Sequence, residues 1–249
     1  MIISLLLLIC FTPLEGLVAL ERSDEREMVF PTGFATGEKL EYVAKYSFLT
    51  IGSMILEVKD SLEHKGFDCY HFSSVIISNP NLKFLFSLND TVEVYARMHD
   101  LLPVSYEERI NEGKYHDVSS LVFDHDSLFV VYDDSLHIDL LAESRDLLSF
   151  WYYLRTIDLI VDDTIPVNIH KSEKNYEILC YVKRKERIET PLGEFKTILV
   201  SPQTGGEGIF GEGGGMDIWY SDDEARYPVQ IRAKMKFGSI LFKLKEVTN

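Results

Sequence analysis

Apolar and polar residues alternate along most of the chain, which predicts β-strands. From Leu40 to Tyr46 every second residue is apolar or aromatic, and Glu41 and Lys45 fall on the other face. Gly52 is interpreted as a break, after which the alternation resumes, so the two segments form a long hairpin. Further strands are expected at about 67–78, 91–98, 103–111, 114–123, 127–132, 136–140, 164–170, 174–189, 194–201, 216–220, 228–237 and 239–246.

One segment has helical rather than strand spacing. Between residues 144 and 159 the sequence reads SRDLLSFWYYLRTIDL, with Leu147, Phe150 and Leu154 three or four positions apart. Ser144 or Asp146 is placed to cap the first turn. Because strands and helices do not alternate along the chain, a doubly wound α/β fold is not expected and the protein is predicted to be mainly β.

The domain organisation follows from the two ends of the pattern. Residues 1–20 begin with MIISLLLLIC, an apolar run too short to span a bilayer, and are predicted to be a cleaved signal peptide. Residues 21–36 are interpreted as a linker, and 37–249 as one β domain. Lipidation at Cys10 is not expected, because Ile9 stands where a lipoprotein signal has a small residue. No later segment is long and apolar enough for a transmembrane helix.

Charge and cysteine content narrow the function. The formal net charge of −15 disfavours nucleic acid as a partner. No HExxH or CxxC motif is present, and no metal or cofactor is predicted. Cys69 and Cys180 each lie in a predicted strand; they are interpreted as small buried hydrophobes, with a disulfide as the alternative.

Two loops are candidates for chemistry. The loop from Gly205 to Gly215 reads GGEGIFGEGGG, which has acids where a phosphate-binding loop has Lys followed by Ser or Thr. It is interpreted as a flap between strands, with a lid or partner-binding loop as the alternative. Asp124 to Asp126 could supply oxygen ligands to a metal, but three polar residues between two strands are more typical of a turn.

Four motifs occur in an order that resembles the bacterial domain-of-unknown-function 3108 family. They are GEKLEYVAKYSFLTIGSMILEV (37–58), DLLSFWYYLRTIDL (146–159), KERIETPLGEFKTILVSP (185–202) and IWYSDDEARYPVQIRAKMKFGSILFKL (218–244). The resemblance implies an exported protein, usually periplasmic, with no established activity. It also implies a single curved antiparallel sheet or half-open β-barrel with one covering α-helix at about 144–159. That fold is reminiscent of the half-open barrels that carry lipoproteins between membranes.

The predicted helix carries the candidate site residues. Asp146, Ser149, Tyr152 and Arg155 recur every three positions and form a polar stripe, with Trp151 on the apolar side. In a structural role, Asp146 caps the helix and Arg155 pairs with a strand carboxylate. In a functional role, these five residues line a ligand cleft.

Two functions are compatible with these features. The preferred hypothesis is a non-catalytic periplasmic binding or carrier module, because a curved sheet rich in Phe and Tyr can enclose a lipid or other amphiphile. The alternative is an envelope enzyme acting on glycan or peptidoglycan through paired carboxylates such as Glu107, Glu108 or Asp146. An envelope protein as binding partner would require an exposed apolar patch or an unprotected edge strand.

Overall fold

A computed structural model describes residues 33–82, 87–204 and 214–249 of the protein. Fourteen strands account for most of these residues. They are β1 Lys39–Tyr46, β2 Leu49–His64, β3 Phe67–Ser78, β4 Asn89–Arg97, β5 Pro103–Glu112, β6 Tyr115–Asp124, β7 Phe129–Tyr132, β8 Leu136–Asp139, β9 Thr164–Lys171, β10 Lys174–Thr190, β11 Gly193–Thr204, β12 Gly215–Ser221, β13 Pro228–Lys234 and β14 Ser239–Thr248. The described helices are α1, Leu147–Tyr153, and a 3-10 turn at Pro80–Leu82.

All fourteen strands belong to one antiparallel sheet. Its order is β8-β7-β6-β5-β4-β3-β2-β1-β14-β13-β12-β11-β10-β9, so nearly every strand pairs with its neighbour in sequence and only β1 and β14 join distant parts of the chain. The order has two ends and no strand pairing that links them. The prediction of a mainly β protein with a curved antiparallel sheet and one α-helix is therefore confirmed. The sheet that the structure describes is not closed into a barrel.

The predicted strands agree with the observed ones except at Gly52. This glycine is not a break, because β2 runs through it and pairs it with Ala44 on one side and Ser78 on the other. The break in the hairpin comes earlier, where Ser47 adopts a positive φ of 54°. A Cβ atom at position 52 would lie 2.3 Å from the Ile77 carbonyl oxygen, so glycine is required here by the close approach of β3.

The helix is less than half as long as the predicted 144–159 segment. It starts only after Asp146, because Arg145 is extended and pairs with Ile169 of β9. At its other end the backbone tightens, and the Arg155 and Thr156 amides donate to carbonyls three residues back instead of four. Helical spacing in this sequence therefore extends beyond the helix itself, into turns that bury their apolar residues.

The main hydrophobic core lies between α1 and the face of the sheet that we call the inner face. The helix packs against β3, β4 and β9, and Phe150 is fully buried there. Phe34, in the segment interpreted as a linker, also joins this core, where its ring makes edge contacts with Phe72 and Tyr152. A helix buried on nearly all sides fills the sheet instead of covering it from outside.

A chain of hydrogen bonds joins the two ends of the sheet. Asn175 of β10 donates through Nδ2 to the Asp139 carbonyl of β8 at 2.7 Å, which leaves its Oδ1 as an acceptor 2.9 Å from His170 Nδ1. His170 therefore carries its proton on Nδ1, and its Nε2 accepts from the Tyr132 hydroxyl at 2.9 Å. The Glu173 amide donates to the same hydroxyl at 2.8 Å. Side chains, rather than a strand ladder, thus hold the edges together.

Candidate functional site

The first predicted site residues cap the helix. Asp146 Oδ1 accepts hydrogen bonds from the Leu148 and Ser149 amides at 2.7 and 3.1 Å, which satisfies two of the unpaired donors at the helix start. Ser149 donates its hydroxyl to the other Asp146 oxygen. Burial raises the pKa of Asp146, and the hydrogen bonds from Ser149 and the two amides oppose that shift. The expected N-cap is therefore Asp146, not Ser144.

Arg155 binds the start of β1. Its guanidinium contacts both oxygens of Glu38, with Nη1–Oε1 at 2.6 Å and Nη2–Oε2 at 2.9 Å, and both side chains are almost completely buried. It also donates to the Gly33 and Ala225 carbonyls. Burial alone would lower the pKa of Arg155, but the hydrogen bond and charge of Glu38 raise it above its ordinary value. The structural role expected for Arg155 was pairing with a strand carboxylate; its partner here is a carboxylate that immediately precedes β1.

The aromatic members of the predicted site lie inside the protein. The Tyr152 ring stacks on Phe72 with centroids 3.9 Å apart. Trp151 is half-buried against the core, and its backbone carbonyl accepts from the Tyr220 hydroxyl at 3.1 Å. The structure therefore brings Asp146, Ser149, Trp151, Tyr152 and Arg155 together on and just after one helix. Their binding of a ligand stays a prediction: the Asp146, Ser149 and Arg155 side chains are engaged within the chain. The buried Tyr152 hydroxyl and Trp151 indole nitrogen have no hydrogen-bond partner among the described residues.

A lysine that sequence reasoning missed lies on the inner face. Ile165, Val167 and Ile169 of β9 alternate into the core, and Lys171 is the next residue of that series. Its side chain is half-buried where the series would otherwise place a fourth apolar residue. The alternation itself could have shown it, because TIPVNIHK places a charge at an inward position.

A glutamate occupies the corresponding position of β5. Tyr106 pairs with the core residue Val94, so it faces inward, and Glu108, two residues on, faces the same way opposite Val92. In this antiparallel order β5 and β9 run in the same direction as β1, away from the Glu38 end that Arg155 closes, and Lys171 is the last residue of β9.

The two charges perturb each other. Burial lowers the pKa of Lys171 to about 8, and the carboxylate of Glu108 opposes that shift. Burial also raises the pKa of Glu108, while Lys171 and a hydrogen bond with Tyr106 lower it. This Glu108–Lys171 pair thus places two titratable groups on an apolar inner surface, each shifting the pKa of the other, and it is the candidate binding site of the fold.

The other carboxylates named for an enzyme do not face one another. Glu107 is on the outer face and pairs with Arg109, while Asp146 caps α1. Among the buried acids that the structure describes, Asp217 pairs with Arg232 and Lys234. These three carboxylates have cationic or backbone partners. Asp90 is a further buried acid that lies beside Glu108 on the inner face; one of its oxygens accepts from the Asn111 amide at 2.8 Å, and its charge raises the pKa of Glu108.

A separate concavity of about 310 Å³ lies at the Arg155 end of the sheet, between the β2–β3 and β6–β7 turns. The Asp124 to Asp126 segment lines it and forms the expected turn, in which Asp124 accepts from the Asp126 and Ser127 amides. His125 donates from Nε2 to the Pro103 carbonyl at 2.8 Å, and burial lowers its pKa. Within the described ranges, no cluster of three or more His, Cys, Asp or Glu side chains could hold a metal ion.

Other sequence predictions have mixed outcomes. Cys69 and Cys180 are free and buried, as expected for small hydrophobes, and burial raises the pKa of both thiols. The signal peptide at 1–20, residues 21–32 of the linker, residues 83–86 and the glycine-rich loop over 205–213 lie outside the described residues. In the portion of the chain that the structure covers, no helix has the length and hydrophobicity to cross a membrane.

The fold and the inner-face pair define a class of protein: a curled antiparallel sheet filled by a short helix, with a charged site on its inner face. The chain belongs to the family described as "Protein of unknown function (DUF3108)", whose model matches residues 41–245. The resemblance seen in the sequence motifs is thereby confirmed. No curated protein matches the sequence.

Solved structures align with this chain at low sequence identity. A β-barrel-like protein of the unknown-function family DUF1849 from Brucella abortus aligns with a TM-score of 0.55 and 8% identity, covering 86% of this chain and 97% of that one. A candidate lipoprotein from Parabacteroides distasonis gives a TM-score of 0.36 at 11% identity, with 90% and 100% covered. A candidate exported protein with a YmcC-like fold from Bacteroides fragilis gives 0.40 at 12%, with 89% and 99% covered.

Proposed function

We propose that the protein is a non-catalytic binding or carrier module of the bacterial cell envelope, and that its ligand is an amphiphile with an anionic head. The observation that carries this proposal is the Glu108–Lys171 pair on an apolar inner face. A half-buried lysine offers a cation to a head group in surroundings of low polarity, where the attraction is stronger than in water. The neighbouring apolar residues offer contacts to a hydrocarbon chain.

The choice of an anionic head rests on Lys171. Its low pKa means that burial penalises the charged form, and an anion bound beside it would offset that penalty. In the unbound protein the charge of Glu108 favours the charged form of Lys171. Anionic lipids and fatty acids both have the required chemistry.

Binding is tested with a fluorescent fatty acid whose emission rises in apolar surroundings. Lys171→Met is expected to lower the affinity by about tenfold or more, since one charge-assisted contact is worth roughly 1.5–3 kcal/mol. Lys174→Met, at an exposed lysine three residues further on, is the matched control and leaves the affinity unchanged. Equal affinities for wild type and Lys171→Met would overturn the assignment of the site.

The pH dependence gives a second readout of the same site. Because the pKa of Lys171 is about 8, the free lysine loses its charge as the pH rises through that value. Affinity for the anionic probe should therefore fall between about pH 7 and pH 9 in wild type. The Lys171→Met variant should show no such fall, and a parallel fall in both proteins would contradict the role of Lys171.

We place the protein in the periplasm, as an exported chain. The apolar start of the sequence supports this location, and residues 1–20 are the segment that export would remove. Fractionation of cells that express the full chain, with mass spectrometry of the product, tests it. Recovery of uncleaved protein in the cytoplasmic fraction would refute this location.

A further inference from the structure

Two neighbouring turns at one end of the sheet expose phenylalanines. The β1–β2 turn and the β13–β14 turn lie side by side, because β1 pairs with β14 and Tyr46 is opposite Ile240. Phe48 is 86% exposed at the tip of the first turn, and Phe237 is 77% exposed at the tip of the second. We call residues 46–49 and 235–238 together the aromatic rim.

The rim is held in a fixed shape. The Tyr46 hydroxyl of the first turn donates to the Phe237 carbonyl of the second at 2.9 Å. Its ring lies over Gly238, where a Cβ atom would come within 2.9 Å of the hydroxyl oxygen, and the φ of Gly238 is 85°. The second turn is closed by the Met235 amide, which donates to the Gly238 carbonyl. The two exposed rings are therefore presented by an ordered platform and not by loose loops.

The rim differs from the rest of the protein in charge. The whole chain has a formal net charge of −15. Residues 44–54 and 233–243, which contain the two turns, include four lysines and no Asp or Glu; of these lysines, Lys234 is paired with Asp217 of the neighbouring strand β12. A local basic and aromatic region on an acidic protein is what a surface complementary to anionic head groups requires.

The rim lies at the end of the sheet where β1 ends and β14 begins, opposite the Glu38–Arg155 pair. Strand β9 runs toward this end and finishes at Lys171. An amphiphile entering the inner face from this end would pass beside the rim.

We infer that the aromatic rim is a membrane-docking surface, in which Phe48 and Phe237 insert into the interface of an anionic lipid bilayer. Aromatic side chains favour the head-group level of bilayers, and lysines nearby attract anionic lipids. The two rings protrude separately from two turn tips, and a fluid bilayer can accommodate each ring by itself. A protein partner would instead need a broad complementary patch. This inference extends the proposed function by giving the carrier a surface from which to load.

Docking is measured by flotation of the full protein with phosphatidylcholine vesicles, with or without phosphatidylglycerol. The wild type should float with the phosphatidylglycerol vesicles, more weakly with phosphatidylcholine alone, and less as salt is added. Phe48→Ser with Phe237→Ser should reduce binding by on the order of tenfold per ring. Ile160→Ser is the matched control, since Ile160 is 61% exposed at the opposite end of the sheet, and it should bind as wild type does.

Three results would overturn the docking surface: no flotation of wild type, equal flotation of the double variant, or an equal loss in Ile160→Ser. Self-association of wild type through Phe48 and Phe237, without vesicle binding, would likewise assign the rim to a second copy of the chain. The fluorescent fatty acid assay separates this inference from the proposed function. If docking fails while Lys171-dependent binding persists, only the rim assignment is wrong.

Discussion

Replacing Arg155 by methionine should destabilise the protein more than any change at a surface ion pair. Methionine keeps much of the apolar stem but removes every donor of the guanidinium. The change leaves the buried carboxylate of Glu38 without its cation, and the Gly33 and Ala225 carbonyls without a donor that they share in the native protein.

The size of the effect follows from burial. The side chains of Arg155 and Glu38 are only 1% and 3% exposed, so water cannot replace the lost partner. Breaking a buried ion pair from one side costs about 3–5 kcal/mol, because an uncompensated charge remains. The pair between Arg187 and Glu194 has the same chemistry but is 63% and 47% exposed, and such pairs contribute about 0–1 kcal/mol.

Urea denaturation followed by far-ultraviolet circular dichroism gives the free energy of unfolding for wild type, Arg155→Met and Arg187→Met. A double-mutant cycle with Glu38→Gln then separates the pair from its surroundings. The Arg155→Met, Glu38→Gln double variant should be less destabilised than the sum of the single variants, since the orphaned charge is gone. The reasoning is refuted if Arg155→Met is no worse than Arg187→Met, or if the two single effects add within about 0.5 kcal/mol.

Three further predictions concern the frame around the site. Burial lowers the pKa of His170 from its ordinary 6.5, so the unfolded chain binds more protons than the folded protein as the pH falls. The urea midpoint of wild type should therefore fall as the pH drops from 7 to 5, and His170→Gln should reduce that fall. Gly52→Ala should lower the free energy of unfolding by about 1–3 kcal/mol, because the added Cβ atom would clash with the Ile77 carbonyl oxygen. Gly215→Ala has only a flexible side chain nearby and should change the urea midpoint little. Asp146→Ala should cost about 1–2 kcal/mol and Asp146→Asn less, since asparagine keeps an acceptor for the cap; equal losses would argue against the capping role.

Much of the sheet could be predicted from local alternation, because each strand pairs with the next in sequence and its period depends only on which face is buried. Gly52 was misjudged because its reason is a contact with Ile77 on another strand. The helix was predicted too long because apolar spacing reports burial, and the turns after Tyr153 are buried as well.

The site was less predictable than the sheet. The cap at Asp146 is local, and its residue type and position sufficed. The partner of Arg155 is 117 positions away in sequence, so a carboxylate could be expected but Glu38 could not be singled out. Glu108 and Lys171 lie on β5 and β9, which approach each other only because the sheet curls, and no periodicity within either strand encodes that curvature.

The central claim is that the inner face holds an amphiphile through Lys171. Native mass spectrometry of the protein purified from cells without detergent, before and after extraction with organic solvent, tests it most directly. The account predicts that wild type carries a mass adduct, that solvent removes this adduct, and that the adduct is an anionic amphiphile. Lys171→Met should lack the adduct, and Lys174→Met should carry it. A wild-type protein that never carries an adduct, or an adduct retained equally by Lys171→Met, would contradict the account.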